Sequence, residues 1–88
     1  MIVRILGDRL YDVSDRDLPG IERLDTDMDT ALKAGDEPAF SAALAELIAK
    51  VRSTASALAD DDDRKSDLVI PPEGATLQEV RDILDAGV

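Results

Sequence analysis

The chain has 88 residues, of which 20 are Asp or Glu and 10 are Lys or Arg, so its formal net charge is −10. A chain of this length has room for one core, and we expect a single domain over residues 1–88. So negative a surface repels phosphate, which argues against direct contact with nucleic acid or with an anionic membrane. Cys and His are both absent. Their absence excludes thiol nucleophiles, disulfides, zinc sites built on these residues and acid–base catalysis by imidazole.

Residues 1–13 predict a β-hairpin. The run Ile2-Val3-Arg4-Ile5-Leu6 has the β-branched, apolar composition of a buried strand. Gly7-Asp8 suits the positive φ angles of a tight turn, and Leu10-Tyr11-Asp12-Val13 alternates like a returning strand. The first run is too short for a signal peptide, and no run approaches the roughly 20 apolar residues that span a bilayer. These features favour a cytoplasmic protein.

Residues 17–59 predict two helices joined by a short turn. Asp17 is the expected N-cap of the first helix, because it puts Pro19 in the first turn, where a missing N–H costs little. Apolar residues then recur every three or four positions until Gly35, which we expect to end the helix in a left-handed conformation. Asp36, the next residue, can be the N-cap of the second helix. So short a connection forces the two helices antiparallel, and we expect a helical hairpin.

The remaining chain predicts a linker, a strand and a helix. Residues 60–66 begin with a run of aspartates, which resists packing and which we expect to be a solvated linker. Residues 67–70 predict a third strand, ended by two prolines. Thr76 and Glu79 have the spacing of a capping box and predict a C-terminal helix over residues 76–86. The order ββααβα predicts an α+β fold with a small three-stranded sheet, an αα-hairpin and that helix.

The helical hairpin carries the main candidate surface for a partner. Its second helix carries an apolar stripe of Phe40, Leu44, Leu47, Ile48, Val51, Ala55 and Leu58. The apolar stripe of the hairpin is long beside strands of roughly four to six residues, so part of it is expected to overhang the sheet. A helix of a partner, packed along the stripe, would cover it. Tyr11 fits either the core or this interface. The residues assigned to the candidate surface are Tyr11, Met28, Leu32, Leu47, Val51 and Leu58.

Two acidic motifs were considered as cation sites, and neither fits one well. Asp25, Asp27 and Asp29 open like an EF-hand loop, but Thr30 stands where that loop needs Gly. The three aspartates also alternate with the apolar stripe, which favours a solvated helix face. The aspartates at 60–63 lack a spacing that would fold them around one ion, and weak cation binding there stays open. No carboxylate pair and no Gly-rich phosphate loop stands out, so we expect no enzyme activity, no cofactor and no metal site.

Three stretches of the chain together resemble the PspA-associated domain family, PspAA. They are residues 1–7 with Tyr11-Asp12-Val13, residues 34–37, and residues 66–72 with their extension over 75–80. Their order and spacing cover nearly the whole chain. The resemblance implies a small accessory of the phage-shock-type envelope stress system, whose partner is PspA, a long coiled-coil protein that remodels membranes. It carries no catalytic motif and assigns no binding residues. The Pro19-Gly20 pair is unusual for such a chain and leaves the start of the first helix open.

We therefore expect a non-enzymatic adaptor that binds a PspA-like coiled-coil protein in the envelope stress response. Membrane contact would come only through that partner, which would recruit the chain to the inner face of the membrane. The alternative is an acidic, antitoxin-like inhibitor that covers a basic surface of an enzyme or of a nucleic-acid-binding protein. The charge and the helical content suit both equally well. The sequence is compatible with a homo-oligomer, and it leaves open the strand order and the face that meets the partner.

Overall fold

The computed structural model describes residues 1–59 and 64–86, which form three helices and a four-stranded sheet. The elements in chain order are β1 (Ile2–Ile5), β2 (Leu10–Asp12), α1 (Leu18–Ala34), α2 (Glu37–Thr54), β3 (Ser56–Ala57), β4 (Leu68–Ile70) and α3 (Leu77–Ala86). The predicted α+β class, the αα-hairpin and the C-terminal helix are confirmed.

The hairpin of β1 and β2 forms where the sequence predicts it. The two strands pair antiparallel, with Val3 opposite Tyr11. Gly7 in the turn has a φ of 79°, a left-handed conformation that a residue without Cβ adopts at little cost. Because side chains alternate along a strand, Val3 and Ile5 share the face that is buried in the core.

The ends of the first two helices follow from their capping residues. Asp17 stands at the N-cap position of α1 and Pro19 lies in the first turn, but the Asp17 carboxylate accepts from the hydroxyl of Ser14 at 2.9 Å and makes no capping hydrogen bond. At the other end Gly35 is left-handed, with a φ of 73°, and its N–H reaches the carbonyls of Ala31 and Leu32. Asp36 then caps α2 by accepting a hydrogen bond from the N–H of Ala39 at 3.2 Å.

The sheet is larger than the sequence predicts, because the described residues hold four strands and not three. β4 pairs parallel with β1, and β3 pairs antiparallel with the outer side of β2. The strand order is β3-β2-β1-β4, which leaves β4 at one edge. The extra strand, β3, has two residues, and a segment so short cannot show the alternation by which strands are recognised.

The second helix ends at Thr54, earlier than the predicted boundary. Ala55 is extended, with a φ of −91° and a ψ of 159°. The hydroxyl of Thr54 donates back to the carbonyl of Lys50 at 2.7 Å, a local bond of the kind that competes with helix hydrogen bonds. Beyond it, the N–H of Leu58 donates to the carbonyl of Leu10 at 2.9 Å. Sheet pairing therefore replaces the last predicted turn of the helix.

The C-terminal helix is tied to both helices of the hairpin. The hydroxyl of Thr76 accepts a hydrogen bond from the N–H of Glu79 at 3.1 Å, which is one of the two bonds of the predicted capping box. The carboxylate of Glu37 accepts from the N–H of Leu77 at 3.0 Å, and Arg81 donates to the carbonyl of Leu32 at 3.1 Å. Of the linker predicted over 60–66, residues 60–63 lie outside the described residues.

One core joins the sheet to the helices. The part of the predicted stripe that lies on α2 is buried in this core, whereas Ala55 and Leu58, which follow the helix, are half-buried. The buried residues of α2 are Phe40, Ala43, Leu44, Leu47, Ile48 and Val51. The predicted overhang of the stripe therefore does not occur on α2. On α1, in contrast, Leu24 and Leu32 are only partly buried where they pack against the core. Apolar surface left over by the fold is thus found on α1.

Candidate functional site

An open groove of about 310 Å³ lies between α1, β4 and α3. It is lined by Asp25, Thr26, Met28, Asp29, Leu32, Phe40, Val69, Pro71 and Val80. Asp25, Met28, Asp29 and Leu32 have the helical spacing i, i+3, i+4 and i+7, which puts all four on one face of α1. The opposite wall comes from β4, the edge strand of the sheet, and from the chain that follows it.

Most of the groove surface is apolar. Phe40, Met28 and Val80 are buried, with exposed fractions of 0%, 7% and 6%. Leu32 is half-buried, whereas Val69 is 50% exposed, the one large apolar residue so exposed in the described chain. A single exposed valine is ordinary, but this one lines a groove with other apolar side chains. The groove is therefore suited to apolar contact with a protein.

Two carboxylates on α1 make this groove acidic. Asp29 forms an i,i+4 ion pair with Lys33 at 2.9 Å. Among the described residues the side chain of Asp25 has no hydrogen bond and no ion pair, and no Lys or Arg lines the groove. Burial, with a further contribution from Asp29, raises the pKa of Asp25 above its ordinary value. A cation brought by another molecule would favour the charged form of this carboxyl.

A second groove, of about 330 Å³, lies between α1 and α2 and differs in chemistry. Its lining residues are Gly20, Arg23, Leu24, Asp27, Glu46 and Lys50. Four of these six are charged, two of each sign, so the surface offers little apolar contact. A Cβ on Gly20 would lie 2.6 Å from Cε of Lys50, so the lysine stem passes closely over this glycine. Because the end of a lysine side chain can move at little cost, this contact does not by itself require glycine at position 20.

A polar cluster of four side chains joins the hairpin turn to the end of α2 and to the loop before α3. Arg52 donates from Nε and Nη2 to Oδ2 of Asp8, at 3.2 and 3.0 Å, and from Nη1 to Oε2 of Glu73 at 2.9 Å. The hydroxyl of Tyr11 donates to the same oxygen of Asp8 at 3.0 Å. Glu73 and Asp8 thus lie on two sides of one guanidinium, a geometry that braces three segments of the chain.

The pKa shifts in this cluster follow from its hydrogen bonds. Burial alone would raise the pKa of Asp8, but the bonds from Arg52 and Tyr11 outweigh it and lower the pKa below its usual value. Burial and the bond to Asp8 raise the pKa of Tyr11. The bonds to Glu73 and Asp8 raise the pKa of Arg52. Each group is held in its ordinary charge state, so the cluster has the properties of a brace and not of an acid–base pair.

The comparison with family models decides the family. A model described as PspA-associated protein, PspAA, matches residues 1–88. The chain belongs to the PspAA family. The resemblance seen in the sequence is thereby confirmed. The family description names an association with PspA, and it names no reaction. Comparison with curated proteins and with solved structures found no match.

Three of the residues assigned to the candidate surface either line the groove or are only half-buried in this PspAA-family chain. Met28 and Leu32 come together in the groove, on the α1 wall. Leu58 is half-buried after β3, where its N–H pairs with Leu10 of β2, and it does not line the groove. A role for these side chains in binding a partner stays a prediction.

The other three assigned residues lie inside the fold of this PspAA-family chain. Leu47 and Val51 each have 0% exposure, because they belong to the buried core cluster. Tyr11 is 7% exposed, with its ring in the core and its hydroxyl in the polar cluster. A partner that contacted Leu47 or Val51 would have to displace part of this core, so their assignment stays a prediction that needs such a rearrangement.

Two residues of the groove were not assigned to the surface from the sequence. The acidic motif predicts a solvated helix face that includes Asp25, although the spacing of Asp25 from Met28 and Leu32 puts it on the apolar side of α1. Val69 belongs to a three-residue strand, and the prolines that follow it are typical of an edge strand. That pattern indicates an edge, but it does not indicate which helix faces the edge.

The acidic motif of α1 does not converge on one point. Asp27 lines the groove between α1 and α2, whereas Asp25 and Asp29 line the groove beside β4. Within residues 1–59 and 64–86, no group of Asp and Glu side chains is arranged to hold a metal ion. In the part of the chain that the structure describes, no helix is both long enough and apolar enough to cross a membrane.

Proposed function

We propose that this PspAA-family chain is a non-enzymatic adaptor that binds a PspA-type coiled-coil protein in the envelope stress response. The observation that carries the proposal is the family match over residues 1–88, since the family is defined by its association with PspA. Support comes from the uncovered apolar groove on α1, because a coiled-coil protein presents long helices with apolar stripes.

The adaptor would work in the cytoplasm, and its contact with the membrane would be through the partner. The net charge of −10 supports this part of the proposal, because anionic lipid headgroups repel so acidic a chain. Vesicles of anionic lipid should therefore sediment the chain only when the PspA-type protein is present. Sedimentation of the chain alone would contradict the indirect route.

The central test is complex formation between purified proteins. The chain and the PspA-type protein from the same source are mixed at about 10 µM each, a concentration that reveals a micromolar Kd. We expect them to co-elute from a sizing column, with the chain shifted to the volume of the larger protein. Elution of the chain at its own volume, with no binding heat in calorimetry, would sink the proposal.

A second candidate is an acidic inhibitor that covers a basic surface of an enzyme or of a nucleic-acid-binding protein. The net charge of −10 is the observation that favours it. Such an inhibitor binds mainly through long-range charge, whereas an adaptor that packs a helix binds mainly through apolar contact. The dependence of the Kd on salt separates the two mechanisms.

A further inference from the structure

The groove beside β4 has an apolar surface with no cover in the described chain. Val69 is 50% exposed, and Leu32 is half-buried on the α1 wall. The volume of the groove, about 310 Å³, is at the small end of the range for ligand pockets. A groove of this size suits a few inserted side chains of a larger partner better than a whole cofactor.

The charge of the groove selects the kind of side chain that can border it. Asp25 and Asp29 lie one turn apart on the α1 wall, and no Lys or Arg of the described residues lines the groove. Asp29 has Lys33 as its partner, whereas Asp25 has none in the described residues. A Lys or Arg from another protein would complement Asp25, and an acidic side chain there would be repelled.

The backbone around the groove favours a helix over a strand as the occupant. β4 is an edge strand that could pair with an added strand, but it has only three residues. Pro71 and Pro72 follow it, and proline has no N–H to offer a neighbouring strand. The wall of α1 instead presents its side chains at helical spacing over about two turns, which matches the ridge of a second helix.

We propose that this groove binds an amphipathic helix whose apolar face is flanked by a Lys or Arg that pairs with Asp25. The apolar face lies against Leu32 and Val69, and the basic residue lies above the α1 wall. The inference rests on the proposed function for the identity of the partner, which is then a helix of the PspA-type protein. The attraction of a cation beside Asp25 would offset the desolvation and the like-charge repulsion that raise the pKa of this carboxyl.

The first test changes the groove by one residue at a time, with controls matched in charge. Val69→Asp inserts a carboxylate into the apolar surface, and Ala49→Asp inserts one at an exposed position of α2 away from the groove. Asp25→Asn removes the proposed contact, and Asp27→Asn removes an exposed carboxylate from the same helix. Thermal melting of each variant shows that it is folded before its Kd is measured by calorimetry.

We expect Val69→Asp to weaken binding of the PspA-type protein by about tenfold or more, and Asp25→Asn by about three- to tenfold. Ala49→Asp and Asp27→Asn should each change the Kd by less than about twofold, since they alter only the general charge. Equal effects of Asp25→Asn and Asp27→Asn would overturn the inference, and so would an unchanged Kd for Val69→Asp.

A second probe separates this inference from the proposed function. It is a synthetic helical peptide of roughly five turns with leucines on one face and lysines flanking them, and its control has glutamates in place of the lysines. If the lysine peptide binds and Val69→Asp prevents it while the PspA-type protein does not bind, the groove stands and the adaptor proposal fails. If the PspA-type protein binds every groove variant as tightly as the parent chain, the adaptor proposal stands and the groove fails. A chain that is a dimer until Val69→Asp makes it a monomer would also overturn the inference, because the groove would then be a self-interface.

Discussion

Asp8 and Asp25 are both partly desolvated carboxylates, yet their pKa values shift in opposite directions. Desolvation alone raises the pKa of a carboxyl group. At Asp8 the hydrogen bonds from Arg52 and Tyr11 outweigh that effect, whereas at Asp25 the carboxylate of Asp29 adds to it. The neighbouring groups therefore decide the direction in which each pKa shifts. At Asp25 the fold itself disfavours the charge, which agrees with the contact proposed for this carboxylate.

Asp25→Asn should stabilise the isolated chain at neutral pH. The unfolded chain ionises this carboxyl near its ordinary pKa of 3.8, and the folded chain ionises it only at higher pH. Stability is therefore lost as the pH rises between the two values and stays lost above them. Asn carries no charge, so the variant should gain up to about 0.5 kcal/mol in the free energy of unfolding at pH 7. Urea unfolding measures this gain.

The pH dependence identifies the cause of that gain. Near pH 3 the carboxyl of Asp25 is protonated in both states, so the variant and the parent chain should unfold at the same urea concentration. Asp27→Asn provides the control, because it removes one charge from an exposed position of the same helix. A gain of equal size in both variants would show that general repulsion in this acidic chain, and not the groove, disfavours the charge.

At the level of elements, the predicted boundaries hold where one residue type determines them. Gly35 ends α1 and Asp36 caps α2 where the sequence puts them, because a left-handed glycine and an N-cap oxygen act locally. Asp17 stands at the predicted N-cap position of α1, although its side chain makes no capping hydrogen bond there. The end of α2 is different. Ala55 and Leu58 continue the helical spacing of apolar residues, but after Thr54 the backbone pairs with the free edge of β2. The sequence near α2 contains no sign of that edge, so β3 could not have been predicted from it.

Leu58→Pro should test whether pairing with β2 holds this segment in place. The N–H of Leu58 donates to the carbonyl of Leu10 at 2.9 Å, and proline cannot donate. We expect the free energy of unfolding to fall by about 1–2 kcal/mol beyond the loss caused by Leu58→Ala, which accounts for the side chain alone. Chemical denaturation of the three proteins gives the difference.

Ala57→Pro is the matched control for that change. Successive N–H groups in a strand point to opposite sides, so the N–H of Ala57 is directed away from β2. Proline at this position should therefore leave the ladder intact and destabilise the chain less than Leu58→Pro does. If both prolines cost the same, the rigid ring and not the lost hydrogen bond accounts for the effect, and β3 contributes little.

At the level of the whole molecule, the sequence predicted the fold class better than it predicted the exposed surface. Met28 and Leu32 are spaced correctly for one face of α1, and both line the groove. Leu47 and Val51 have the same apolar pattern and yet are fully buried, because they lie inside the one core cluster that α2 shares with the other elements. Periodicity identifies an apolar face, but only the packing of distant elements decides which part of it stays uncovered. For the same reason Val69 could not be assigned to the groove from its own segment.

The whole-molecule charge leads to a prediction about salt. The Debye length, over which salt screens a charge, shortens from about 10 Å at 0.1 M salt to about 3 Å at 1 M. Binding that relies on the net charge of −10 therefore weakens steeply over this range. A helix packed in the groove relies mostly on apolar contact, with Asp25 as one close charge pair. We therefore expect the Kd for the PspA-type protein to rise by less than about tenfold between these salt concentrations, as measured by calorimetry or anisotropy.

A charge-reduced control makes the salt experiment decisive. Replacing Asp15 and Asp27 with Asn removes two exposed carboxylates outside this groove and changes the net charge from −10 to −8. If the groove provides the affinity, this double variant binds at low salt nearly as tightly as the parent chain, although its association is slower. A large loss of affinity in the variant, together with a steep salt dependence in the parent, is the behaviour of an electrostatic inhibitor. In that case the acidity of the whole surface, and not the apolar wall of α1, would be the feature that binds the partner.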